Sequence, residues 1–308
     1  MPNAFPPSVR VIVRGWLNCN QVLLLDESGH VLIDSGYAAT SDETLRLLAA
    51  PERLGERPLA RVINTHCHAD HVGGNAALVR RYGCTVTIPA GDAANVRAWN
   101  RQAFLIDYAD HFIERFDYTD TLAPGDRFRA GGLEWEAIAA PGHDVNALVY
   151  WCQEHGIAIT GDALWENGFG ALFPLPSLEA AIEGAHATLD RIEALGVRRV
   201  IPGHGRPFAD VSGALARARR RLEAFRADPA KNARHVMKSL LAFALLAKRG
   251  MRVEEFAPYC ARVSCYADLN ERFIGKPLPV LAELMLAELR SAGVVAIENG
   301  WIRPRIPA

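Results

Sequence analysis

Residues 65 to 74 read THCHADHVGG, three histidines and one aspartate within six positions. The run lies where a β-branched stretch, RVINT, ends and a helical pattern, GNAALVRRYG, begins, so it predicts a strand, a turn and a helix in that order. Along an extended segment alternate side chains face the same way, which turns His66, His68 and Asp70 toward one side. His71 joins them if the chain turns there, and Gly73 and Gly74 permit that turn. Imidazole nitrogen together with carboxylate oxygen is a donor set for Zn²⁺, and for Fe or Mn where geometry allows.

Three further candidates stand at the ends of strand-like runs: His143 in APGHDVN, Asp162 in AITGDAL and His204 in VIPGHGRP. Five of the ten histidines fall in these short signatures, so they do not read as unrelated polar loop residues. Around them VRVIV, QVLLL, HVLID, TVTI, LEWEAI, ALVYW, IAIT and RRVI read as strands. Residues 40–49, 74–83 and 178–196 read as helical patterns, the last two stopped by Gly83 and Gly196. Strands mixed with helices predict a layered α/β or α+β body.

From about residue 211 the pattern becomes almost wholly helical. Val236, Leu240, Leu241, Ala244 and Leu245 repeat at helical spacing, as do Leu281, Leu284, Met285 and Leu289, and the chain closes on a hairpin turning at Asn299 and Gly300. The chain of 308 residues therefore divides into a body, 1–210, and a winged-helix-like helical region, 211–308. Charge divides the same way: Lys and Arg number 17 against 25 Asp and Glu before residue 210, and 17 against 10 from there on. No secretory signal opens the sequence, no run of ~18 apolar residues occurs, and the six cysteines show no C-x-x-C pairing. A cytoplasmic protein with reduced thiols and no membrane partner is the expectation.

Taken in order, THCHADHVGG, PGHD, TGDAL and PGHG resemble the metallo-β-lactamase superfamily over roughly residues 8 to 208. The resemblance implies a four-layer αββα sandwich holding two divalent metals at one edge, zinc first, with iron or manganese open. His66, His68 and His143 would hold one metal, Asp70, His71 and His204 the other, and Asp162 would bridge them. It implies hydrolysis by a metal-bridging hydroxide, with Asp70 aiding departure of the leaving group. Asp34, in VLIDSGY, is expected to orient ligands from behind, a plain turn aspartate being the alternative; Cys67 is expected to face away.

A small or medium organic ester, thioester, lactone or amide is the expected substrate. Glyoxalase II and the persulfide dioxygenases carry a Gly-Cys-Gly-Arg-like stretch after the bridging aspartate. Here no Arg or Lys follows Asp162 before Arg191, which places glutathione thioesters lower unless a cation comes from elsewhere in the fold. Apolar bulk near the candidate ligands is plentiful: Leu164, Trp165, Phe169, Leu172 and Phe173 after Asp162, and Phe104, Tyr108, Phe112 and Phe116 every four positions. On a helix these four make a stripe, either core or dimer packing or a lid over the metal edge; Trp165, Phe169, Tyr108 and Phe112 are the candidate pocket residues. A lactamase-like body with a winged-helix tail also resembles a group that includes RNA-cutting enzymes, and Arg217, Arg219, Arg220 and Arg221 would favour a polyanion. Against a phosphodiesterase or endoribonuclease, the helix at about 278–290 carries Glu283, Glu288 and only Arg290. The C-terminal helices are expected either to cap the pocket or to pair two subunits in a homodimer. A non-catalytic binding module would show a broken ligand set; this one is complete.

Overall fold

The β-branched runs of the first third form one sheet. In the computed structural model, which describes residues 5–306, its strands are β1 (Val9–Ile12), β2 (Gln21–Leu24), β3 (His30–Ile33), β4 (Leu59–Ile63), β5 (Thr85–Pro89) and β6 (Asp120–Leu122), in that spatial order. The first three pair antiparallel and the rest parallel. The second sheet holds β7 (Arg127–Ala130), β8 (Leu133–Ala139), β9 (Leu148–Cys152), β10 (Ile157–Gly161) and β11 (Arg199–Pro202), ordered β11-β10-β9-β8-β7. Period-two alternation gives both sheets an inner apolar face: Val22, Ile33 and Ile63 of the first meet Trp135, Tyr150 and Ile159 of the second in one core.

Helices cover both outer faces. α1 (Ser41–Leu48), α2 (Ala69–Val72) and α3 (Asn75–Tyr82) belong to the first sheet's side, where Leu48 and Leu78 pack with Leu23, Leu32 and Val62. After α4 (Ala93–Ala98) and α5 (Ile106–Ala109), the other side is closed by α6 (Leu178–Ala194) and α7 (Val211–Ala227), whose Ile182, Leu189, Ala214 and Leu222 pack on Val149, Ala158 and Val200. The result is the four-layer αββα sandwich.

The remaining chain forms α8 (Pro229–Ala247), β12 (Met251–Arg252), α9 (Val253–Arg262), α10 (Ser264–Phe273), α11 (Leu278–Ser291), β13 (Val295–Glu298) and β14 (Trp301–Pro304), with the three strands ordered β12-β14-β13. A helical region with a small terminal sheet agrees with the expected winged-helix-like extension. α7, which follows residue 210, shares the core of the sandwich. Asp228 separates α7 from α8 and caps α8 by accepting from the Lys231 amide. α8 is apolar nearly all round from Leu240 to Leu246 because it is buried from both sides: Leu240, Leu241 and Leu245 enter the core of the helical region, whereas Phe243 and Leu246 enter a core with Tyr37, Val72 and Ile88 of the body.

The helical stripe expected over 104–116 does not form. α5 is a single turn, and Leu105 and Asp110, at its two ends, both sit at φ 56° in the left-handed region, which stops a helix on either side. Phe104 and Phe116 are core residues, and Phe112 is exposed.

Candidate metal centre and the cleft above it

The extended part of THCHADHVGG ends sooner than its alternation suggests. His66 and His68 do face one way, but α2 begins at Ala69, and its one turn carries Asp70 and His71 to a second group. Gly73 and Gly74 have ordinary right-handed helical φ values, −60° and −83°. Their task is close approach: a Cβ at Gly73 would strike the backbone of Ala38 and Ala69, and one at Gly74 the carbonyl of Ser35.

His66, His68 and His143 form one cluster whose donor atoms all lie within 4.8 Å of one another; Asp70, His71, Asp162 and His204 form another. Asp162 reaches both. Its Oδ2 is 3.4 Å from His143 Nε2 and its Oδ1 is 3.3 Å from His71 Nε2. Asp70 Oδ2 lies 3.0 Å from His204 Nε2 and 3.7 Å from His71 Nε2. The structure thus brings all seven sequence candidates to one edge of the sandwich, at the ends of β4, β10 and β11 and in the β8–β9 connection.

Contacts behind the cluster determine which ring nitrogens face inward. His143 Nδ1 lies 2.6 Å from the Ala171 carbonyl, so it carries the proton and Nε2 keeps its lone pair. His71 Nδ1 is held 2.8 Å from Asp34 Oδ2 in the same way. Asp34 also accepts from the Thr65 amide and hydroxyl, each at 2.8 Å, and sits at φ 59°. The inward nitrogens His66 Nε2 and His71 Nε2 are buried with no hydrogen-bond partner. Orphaned lone pairs converging beside two carboxylates fit a pair of divalent cations.

Electrostatics point the same way. Burial, with help from neighbouring rings, pushes His66 and His68 well below the usual imidazole range, and burial also lowers His143, leaving neutral donors. Burial alone would raise Asp162, but His204, His71 and His143 pull it well below the ordinary carboxylate range; Asp70 is drawn down to about 2 by His71 and His204 against the same burial. Cys67 is buried, and burial with Asp92 nearby drives its thiol well above the usual value, so it stays protonated on the side away from the cluster.

A cleft of about 580 Å³, measured out to its open mouth, lies over the cluster and reaches His68, Asp70, His143, Asp162 and His204. Trp165 lines it as expected, its Nε1 3.3 Å from Asp162 Oδ1. Trp16 packs edge-on against it at 5.7 Å, and both indoles lie on the His204 ring, at 5.3 and 5.1 Å. The other three expected pocket residues lie outside the lining. Phe169 is buried against Phe225 in the core under α7. Tyr108 turns to the helical region, donating to Asp268 Oδ2 at 2.7 Å. Phe112 is 57% exposed because the helix that would have aimed it does not form.

Phe173, one of the apolar residues noted after Asp162, is part of the lining, and the rest escapes the sequence reading. Leu105, Ala171 and Phe173 form one wall; His111 and, from α8, His235, Ser239, Leu240 and Phe243 form the roof. Asp144 escapes it too: its Oδ2 is 3.6 Å from His68 Nε2, behind the first cluster. The only sequence signal for Asp144 is its place in PGHD.

The profile of the Metallo-beta-lactamase superfamily matches residues 14–204, and the chain belongs to that superfamily. A hydroxyacylglutathione hydrolase of Methylococcus capsulatus is 33% identical over 181 residues; the match spans 58% of this chain and only 59% of that relative's length. A metallo-beta-lactamase family protein of Thermus thermophilus shares the fold along almost the whole chain, with a TM-score of 0.59 at 20% identity, covering 98% of this chain and 100% of the other. A further solved structure, described as a di-iron-bound form, is 25% identical, with a TM-score of 0.51 over 68% of this chain and 98% of its own.

Proposed function

We propose that the chain is a dinuclear metal-dependent hydrolase of acyl thioesters or esters. The observation that carries this reading is the placement of Asp162 between two complete donor clusters, with inward ring nitrogens that have no other partner. Two divalent cations held there would supply Lewis acidity, lowering the pKa of water toward ~7 and polarising an acyl carbonyl. His66, His68 and His143 would hold one cation, Asp70, His71 and His204 the other, and Asp162 would be shared. Zinc suits the donors best, and the di-iron-bound relative makes iron the alternative.

The chain's own groups do the remaining work. Asp34 and the Ala171 carbonyl fix the tautomers of His71 and His143. Trp16 and Trp165 exclude water beside His204. Asp70, on the cleft floor and held as a carboxylate, is placed to take a proton from attacking water and pass it to the leaving group. A thioester is favoured because the curated relatives are hydroxyacylglutathione hydrolases. The six cysteines, all unpaired, suit a reducing compartment such as the cytoplasm, and no helix among the described residues is long and apolar enough to cross a membrane.

Nucleic acid is disfavoured because three of the four arginines of the run are engaged within the chain: Arg217 pairs with Asp210, Arg219 with Asp190 and Glu193, and the Arg221 guanidinium lies over the Phe169 ring. The test is a hydrolysis panel on metal-quantified protein with thioesters, lactones, bis(p-nitrophenyl) phosphate and single-stranded RNA, run beside Asp162→Ala. Thioester turnover abolished together with metal in the variant is expected; full activity with unchanged metal content in Asp162→Ala would refute the assignment.

A further inference from the structure

The cleft roof carries polar groups that the reading above leaves without a task. Both ring nitrogens of His111 are shut off from solvent with no hydrogen-bond partner, and the ring leans on Phe243 at 4.9 Å. His111 lines the same cleft as His68 and Asp70. Ser239 and His235, one helical turn apart on α8, line it too, and among the described residues neither side chain makes a hydrogen bond. Burial keeps His111 neutral; burial together with Arg221 and Lys238 pushes His235 down to about 4. Among the described residues no Lys or Arg lines the cleft.

Neutral imidazole and hydroxyl groups each give one hydrogen bond and accept another. An amide asks for that pairing. A carboxylate offers only acceptors and would meet, at the roof, no Lys or Arg among the described residues to pair with, at the expense of its hydration. We propose that His111, Ser239 and His235 form a neutral hydrogen-bonding subsite for the leaving-group arm of the substrate, so that this chain prefers an uncharged, amide-bearing thiol over a carboxylate-bearing tripeptide thiol. The inference rests on the thioester-hydrolase reading for its substrate class and on the roof residues for its selectivity.

The experiment compares S-butyryl-N-acetylcysteamine with S-butyrylglutathione on the metal-loaded full chain, two thioesters that share an acyl group and differ in their thiol arm. The wild-type chain is expected to favour the first in kcat/KM by about tenfold or more. His111→Ala is expected to raise KM for it about tenfold, the size of one lost hydrogen bond, with metal content retained and partial recovery in His111→Gln. Preference for the glutathione thioester, or equal losses on both substrates in His111→Ala, would overturn the proposal. Calorimetric binding of the matching S-butyl thioether separates the two readings. If neither thioester turns over yet the thioether binds and His111→Ala weakens it about tenfold, the hydrolase reading falls and the subsite stands. If the folded, metal-loaded chain does not bind the thioether, the subsite falls.

Discussion

Asp34→Asn tests whether the contacts behind the cluster govern metal binding. Asp34 is 2% exposed and accepts three hydrogen bonds: the Thr65 amide on Oδ1, and the Thr65 hydroxyl and His71 Nδ1 on Oδ2, each at 2.8 Å. Its φ of 59° makes asparagine the informative replacement, since Asn tolerates the left-handed region, whereas alanine there would add backbone strain of about 1–2 kcal/mol to three orphaned donors. The new amide has one workable orientation. Turning its NH₂ toward the Thr65 amide sets donor against donor, so the NH₂ must replace Oδ2. The Thr65 hydroxyl can rotate to accept, but His71 Nδ1 must then become an acceptor, and its proton moves to Nε2. That nitrogen faces Asp162 Oδ1 at 3.3 Å and is the one a metal held there would take. Loss of its lone pair should weaken the metal of the Asp70–His71–His204 group about 10–100-fold, or roughly 1.4–2.8 kcal/mol, while the His66–His68–His143 group keeps its own. Competition titration against a chelator, with metal counted by mass spectrometry, reads this as one strong and one weakened site. Two sites of wild-type affinity in Asp34→Asn would refute the reasoning.

Three further outcomes follow from the packing. His235 has a folded pKa of about 4 against ~6.5 unfolded, so below pH 6.5 the unfolded chain binds the extra proton and stability falls with pH; denaturant unfolding at pH 7 and 5 should lose about 2 kcal/mol less in His235→Leu than in wild type, and identical losses would contradict the buried neutral assignment. Tyr108→Phe removes the bond to Asp268 that ties the 99–119 segment to the helical region; about 1 kcal/mol of stability should go, with KM unchanged for small and bulky acyl groups alike, whereas selective KM changes would restore Tyr108 to the pocket. Ending the chain at Asp228 strips cover from Leu105, Ala109 and Phe173, which share a core with α8; the truncated protein should aggregate, and a soluble monomer with full metal content would make α8 an appendage rather than a wall.

The clustered side chains are legible in the sequence because each sits in a short signature at a strand end, where local pattern sets position: His66 and His68 after β4, Asp162 after β10, His204 after β11. The split of the opening motif between two clusters is legible only through the family resemblance, since α2 is a single turn and neither Ala69 nor Asp70 announces locally that extension stops there. The stripe from Phe104 to Phe116 misleads for a related reason. Its period is helical, but Leu105 and Asp110 adopt left-handed conformations that favour glycine, and no glycine marks them. Helical spacing in α8 correctly marks an apolar face, yet a pattern on one helix does not say what the face covers. Leu240 and Phe243 look like ordinary core positions, and only the fold shows α8 wedged between the body and the terminal sheet, with Ser239 and His235 turned to a cleft whose floor begins as far back in the chain as His68. His111 carries still less signal, a lone histidine in an irregular segment. The candidate metal cluster is thus written in local motifs, while the lining of the cleft above it depends on contacts between distant segments, and substitutions at His111 or Ser239 should alter what is bound without altering the clustered side chains beneath.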